Sequence, residues 1–211
     1  MHNTIKTQQW DAGTRFLHLG LAITVSVQLL SSLILEMPKP SRPLTGFDAL
    51  VFESHEWLGM TALAIVLLHW GWSLWANGGY GIRHLLPWNR AGRTGVMQDF
   101  TAIKKLDTPT GGPKAKLAGL IHGLGLLAVT VMALTGAALF IWMPENGRMT
   151  PVTGLAKEAH EFMSTFVWIY WGGHVAMGML HHFKGHDTLR TMFNLKRAET
   201  RKMPHAEGKF I

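Results

Sequence analysis

The chain has 211 residues, a charged fraction of 16%, well below the ~25% of a soluble globular domain, and an ordinary apolar fraction of 47%. That balance excludes a disordered or fibrous chain and makes the distribution of charge the informative quantity. The sequence has no cysteine, which excludes a disulfide framework, a thiolate zinc site, a cysteine-ligated iron–sulfur cluster and covalently attached c-type haem.

The charges are clustered. None lies between Arg15 and Glu36, Glu56 and Arg83, Lys116 and Glu145, or Glu161 and Lys184, gaps of 20, 26, 28 and 22 residues. Each gap reaches the ~20 residues that cross a bilayer core as a helix. One gap is compatible with a buried core helix; four leave too little polar chain for a soluble fold. The first apolar run is too long, and too weakly bounded by small residues, for a cleaved signal peptide. The expectation is an all-α, membrane-embedded four-helix bundle, one domain over residues 1–211 with spans at about 16–36, 54–76, 116–142 and 157–183.

In chain order, Pro38, Pro40 and Pro43 stiffen the loop after the first span. Asn77-Gly78-Gly79 reads as the stop of the second. Val96, Phe100, Ile103 and Leu106 in the middle loop put apolar residues on one helical face next to Lys104 and Lys105, the pattern of a short interfacial helix. Thr108-Pro109-Thr110-Gly111-Gly112-Pro113 breaks the chain before the third span. The segments before the first span, between the second and third, and after the fourth carry 16 of the 20 Lys and Arg residues; Lys39, Arg42, Arg148 and Lys157 lie on the other side. The positive-inside rule therefore places both termini and the middle loop in the cytoplasm. The net charge of +7 belongs to this cytoplasmic face, and no nucleic-acid partner is needed to explain it.

Histidines carry the chemistry. His18, His55, His69, His122, His160, His174, His181 and His182 lie within or at the rims of the spans, where ionisable side chains are costly and mark functional sites. His55 and His69 are 14 residues apart, as are His160 and His174; that spacing returns to nearly the same helix face about 21 Å further along the axis. Sorted by depth, the outer half holds His55 and His160, and the inner half holds His18 and His174 with His69 and His122 as further candidates. Two layers of facing histidines in a helical bundle suit two stacked haems, of b type because cysteine is absent. Structural zinc asks for three or four close ligands, and the outer layer offers two. Gly59, Gly136 and Gly178 fall at helical spacings from His55, His122 and His174, where a missing side chain lets either a flat macrocycle or a neighbouring helix approach. Arg15 is placed either to pair with a haem propionate or to anchor the first helix at the interface. His181, His182, His186 and Asp187 either snorkel at the surface, contact haem and quinone, or form a cytoplasmic metal site. Most tryptophans, among them Trp57, Trp75, Trp88 and Trp142, sit at span ends as an aromatic belt.

With these motifs in place, the sequence resembles the bacterial di-haem cytochrome b-561 family, related to the cytochrome b subunits of nickel–iron hydrogenase and formate dehydrogenase. The resemblance lies in Trp10-Asp11-x-x-x-Arg15-x-x-His18, His55-x-x-x-Gly59, Gly119-x-x-His122 with Gly136, and His160, His174 and His181-His182-x-x-x-x-Asp187. It covers roughly residues 10–192. It implies two axial pairs, His18 with His174 and His55 with His160, and two haems b; His122 then either donates a hydrogen bond to an inner propionate or packs against the first helix. It also implies a bacterial inner membrane, quinone as the lipid-side partner, and an outer partner that is a dehydrogenase subunit, a cytochrome c or a small oxidant such as superoxide. The chain departs from the family pattern at Leu19, where Trp is usual, and at His69, where an arginine that meets a propionate is usual. The step from Asp187 to Met192 is one residue short and the middle loop is long. His69 thereby becomes an alternative inner ligand.

Three functions follow as expectations. The first is a carrier of electrons between a periplasmic redox protein and the quinone pool. The second is a self-contained, quinone-linked oxidoreductase of a small oxidant. The third is a haem-free transporter or structural subunit, which explains the spans but not the layered histidines. Seven acids on the outer side outnumber the four cations there, which favours a basic protein partner over a small anion.

Overall fold

A backbone deprived of water has to satisfy its own N–H and C=O groups, and the apolar segments do so as helices. The computed structural model describes residues 10–75, 81–104, 115–144, 146–184 and 188–193. Within them the chain runs α1 (Ala12–Ser32), α2 (Gly46–Trp75), α3 (Ile82–Leu85), α4 (Arg90–Lys104), α5 (Lys116–Trp142), α6 (Pro151–Phe183) and α7 (Thr188–Phe193). No strand occurs among the described residues. Asn77-Gly78-Gly79, Leu106, the 108–113 break, His186 and Asp187 lie outside the described residues.

Three of the four long helices begin earlier than the charge gaps suggest, because polar capping residues and not the apolar runs set their starts. The Asp11 carboxylate accepts from the Thr14 N–H at 2.9 Å and starts α1 four residues before the expected span. Gly46, with φ at 59°, turns the chain into α2 after the proline-rich loop, eight residues early. Thr150 and Thr153 form a reciprocal capping box, and Pro151 fills the first position of α6. Only α5 coincides with its expected bounds. At 30 and 33 residues, α2 and α6 are about 45–50 Å long and exceed the ~30 Å hydrocarbon core.

The long helices pack in sequence, α1 on α2, α2 on α5 and α5 on α6. Side chains tie them together: Gln28 Nε2 donates to the His55 carbonyl at 2.7 Å, Trp70 Nε1 to Thr130 Oγ1 at 2.9 Å, and Trp171 Nε1 to Ser26 Oγ at 2.9 Å. The last of these bridges α6 back to α1. The core gathers Leu29, Val66, Leu126, Val129 and Val167 of the four long helices, together with Leu85 of α3.

The outside of the bundle is apolar. Leu67, Leu68, Leu124, Leu134, Phe162 and Ile169 are all exposed, a continuous greasy surface that water does not tolerate and lipid does. Trp75, Trp88 and Trp142 are exposed at or just beyond helix ends, where aromatic belts form; Trp57 is exposed too, but three turns inside α2. By length and apolarity α1, α2 and α5 each suffice to cross a membrane. α6 is not among them; its charge-free part, 162–183, is diluted by His174, His181, His182 and by Ser, Thr, Gly, Trp and Tyr residues.

The segment between α2 and α5 is more than a surface loop. α4 lies along α5, and the Asp99 carboxylate accepts from the Leu117 N–H at 2.9 Å, capping the start of α5. α3 folds back into the bundle end: His84 and Leu85 are buried, and the α3 backbone sits against Gly119 and Gly123 of α5.

Asp11 also accepts from Trp72 Nε1 at 3.1 Å, which latches the start of α1 to the end of α2. Asp11→Ala is expected to destabilise the fold by about 1–2 kcal/mol through loss of this cap and cross-helix bond. The readout is a lower midpoint for thermal loss of the helical circular dichroism signal in detergent. An unchanged midpoint would show that the latch contributes nothing.

Candidate functional site

Helix α6 presents one histidine toward each end of the bundle, and each meets a histidine from another helix. At the end that carries α3, His174 faces His18 of α1 with ring centroids 5.9 Å apart and planes at 54°. At the opposite end, His160 faces His55 of α2 with centroids 6.5 Å apart and planes at 73°. The 14 residues between His160 and His174 place the two pairs about 21 Å apart along α6. Neither α1 nor α2 packs its backbone closely on α6, so each pair spans a gap between helices.

The gap at the α3 end is a cavity of about 460 Å³. His18, His69, His84, His122, Tyr170 and His174 supply much of its polar lining, and most of the remaining wall is apolar. Tyr170 stacks on His174 at 5.5 Å and 21°, which restrains that imidazole. Phe193 of α7 lies 5.9 Å from the His18 ring and covers it. His122 comes within 5.0 Å of His174, and its Nδ1–H donates to the Ala118 carbonyl at 2.7 Å. A carbonyl can only accept, so the lone pair of His122 is on Nε2. His69 Nδ1 lies 3.3 Å from the Ser73 hydroxyl. Arg15 is only 8% exposed, one turn before His18, and its side chain is not part of the cavity lining.

The second pair is held from behind. His160 Nδ1–H donates to the Met132 carbonyl at 3.0 Å, with the Thr135 hydroxyl 3.1 Å away. This fixes the tautomer and leaves the Nε2 lone pair free to bind a metal. Gly136 lets His160 approach, since a Cβ there would lie 3.1 Å from its Cε1; Gly59 does the same for Gln28, at 2.9 Å from Nε2. The side chains that these two glycines admit are thus His160 and Gln28. Gly178 lines the cavity beside Leu189. Nδ1 of His18 and Nδ1 of His55 are buried with no hydrogen-bond partner among the described residues.

The residue that sequence reasoning missed is His84. It sits in a stretch read as cytoplasmic loop, yet it is 3% exposed and lines the cavity. Burial, and then the Lys116 ammonium, hold its imidazole below the usual histidine range, so it is neutral at pH 7. The only local signal is the apolar company of Ile82, Leu85 and Leu86, which is too short to distinguish a buried turn from a surface one. His181 lies at the cavity edge, while His182 is exposed beside Phe183. Among the described residues no three His, Asp or Glu side chains gather to hold a metal ion.

The arrangement is two facing imidazole pairs in an apolar helical bundle. The profile of the prokaryotic cytochrome b561 family matches residues 9–195, nearly the whole chain. No match was found among curated proteins or solved structures. The chain belongs to the prokaryotic cytochrome b561 family and is a membrane b-type cytochrome, a haem b protein that transfers electrons.

Proposed function

We propose that the protein holds two haems b, one between His18 and His174 and one between His55 and His160, and carries electrons across the membrane between a periplasmic redox partner and the quinone pool. The observation that carries this reading is the separation within the two pairs. A metal about 2 Å from each of two opposed imidazole nitrogens sets their ring centroids about 6 Å apart, and the pairs stand at 5.9 and 6.5 Å. His122 and His174, at 5.0 Å, are too close for a metal in line between them. The cavity beside His18 and His174 supports the same reading, since its apolar walls suit a macrocycle.

A haem iron with two imidazole ligands has no free coordination position, so it supplies one-electron transfer and does not bind oxygen. The protein's part is to hold and tune. The Met132 carbonyl orients His160, Tyr170 restrains His174, and the apolar lining keeps water out. His69 stands where the family's propionate-binding arginine is usual and contacts the cavity without joining the pair. Gly59 and Gly136 act through the side chains they admit, and Arg15 supplies buried positive charge beside the inner site.

In this reading α6 is the fourth span, its charge-free stretch running from 162 to 183. The cation asymmetry puts both termini in the cytoplasm and the protein in the bacterial inner membrane, with the whole of 1–211 as one di-haem domain. The outer partner is a basic redox protein, a dehydrogenase subunit or a cytochrome c, in preference to a small anionic oxidant such as superoxide. Of the four outer cations, Arg42 pairs with Asp48 at 3.7 Å and Lys157 pairs with Glu161, which weakens any funnel for anions.

An optical redox titration of the purified protein with haem quantification is expected to give two low-spin b haems per chain; finding none would leave a transporter or structural subunit. His55→Ala and His160→Ala are each expected to remove one haem and leave the other reducible, and two haems retained in both variants would break the outer pairing. At the inner site, His18→Ala and His174→Ala are expected to lose a haem. His69→Ala is expected to keep both and shift the inner potential, because a neighbour tunes the iron without holding it. Haem loss in His69→Ala with retention in His18→Ala would transfer the ligand from α1 to α2. Reporters fused after Ile211 or inserted near Lys104 are expected to read as cytoplasmic, and one near Asp48 as external; an external signal at Lys104 would invert the orientation.

A further inference from the structure

Four residues of the segment between α2 and α5 form α3 at the inner end of the bundle, and α3 carries a cavity histidine that the haem reading leaves without a task. Both ring nitrogens of His84 are buried with no hydrogen-bond partner among the described residues. Native interiors retain few such groups, and each asks for a reason. Of the other cavity imidazoles outside the proposed ligand pair, His69 is engaged with Ser73 and His122 with the Ala118 carbonyl.

The place of His84 is built, not incidental. Its ring lies against Gly119 of α5, where a Cβ would stand 2.7 Å from both Cε1 and Nε2. The Trp10 indole is edge-on to His84 at 6.3 Å and to His122 at 6.4 Å, and it closes the other side. The surroundings are positive: the ring feels the Lys116 ammonium. A buried N–H donor beside a cation, facing a cavity, is suited to an anionic acceptor.

We propose that an imidazole N–H of His84 donates a hydrogen bond to a carboxylate of the haem held in the inner cavity, fixing that propionate at the inner end and setting the potential of that haem. The proposal rests on the reading of this cavity as the inner haem site. A quinone carbonyl offers a similar acceptor oxygen but no negative charge to complement the Lys116 ammonium, so the carboxylate is the better match.

The test uses the full chain in detergent, with His84→Phe, which fills the space without a donor, and His84→Gln, which keeps an N–H. Haem content, the potential of each haem and the redox-difference infrared spectrum are read together. His84→Phe is expected to keep two haems and to lower the reduced-to-oxidised ratio of the inner haem about tenfold at fixed potential, a fall of about 59 mV for one electron. The fall follows because a less neutralised propionate favours the ferric iron. The carboxylate band of the inner haem shifts with it, the outer haem does not move, and His84→Gln stays near the wild type. An unmoved inner potential and carboxylate band in His84→Phe overturn the proposal. Movement of a quinone carbonyl band instead assigns His84 to quinone, and equally overturns it. If His84→Phe loses the inner haem, His84→Gln decides: two haems at the wild-type potential support the hydrogen bond, and the same loss in both variants reduces His84 to packing. Fewer than two haems in the unsubstituted protein is a failure of the haem reading itself, whereas two haems with an unmoved potential is a failure of the His84 assignment alone.

Discussion

The site depends on one spacing in one helix. His160 and His174 are four turns apart on α6, close enough to a whole number of turns that both imidazoles face the bundle interior. Each then needs a partner from a helix that does not press on α6, because backbones in close contact leave no room between two rings. The packing series from α1 through α2 and α5 to α6 provides this. α5 takes the close contact with α6, and α1 and α2 stand off at imidazole-to-imidazole distance.

Holding helices apart inside an apolar bundle is not free, and the sequence shows how it is done. Residues that cross the gaps are large and hydrogen-bonded, with Trp171 reaching Ser26 from α6 to α1. Where helices do touch, small residues let other groups in, as Gly136 admits His160 and Gly59 admits Gln28. In lipid there is little hydrophobic gain from bringing helices together, so such specific polar and steric fits carry more of the association. The exposed leucines and phenylalanines outside need no protein partner for the same reason.

What the sequence makes legible is what one helix can encode alone. The absence of charge marks the long apolar helices, the 14-residue repeat marks the shared face of α6, and depth alone brings His55 and His160 to one level. Helix starts are read less well, since Asp11, Gly46 and Thr150 are polar or small residues that look like loop until their bonds are seen. The two ends of each cavity wall are less legible still. His84 is buried because α3 finds a seat on Gly119 and Gly123, some 35 residues onward, and no local periodicity announces a contact between a four-residue helix and a distant pair of glycines. The glycine spacing misleads in a related way. A distance along one helix cannot tell whether the space beside it goes to a side chain from another helix or to a flat ligand.

The order of the elements along the chain has a consequence for how the molecule is made. α3 emerges before the glycines on which it rests, so the cavity wall it forms cannot close until α5 has been synthesised. Both histidine pairs wait longer, since each lacks a member until α6 arrives. A nascent chain lacking its final long helix therefore contains half of every pair and the whole of none. α6 supplies the missing member of both pairs in one event, so neither pair can form at any earlier stage of synthesis.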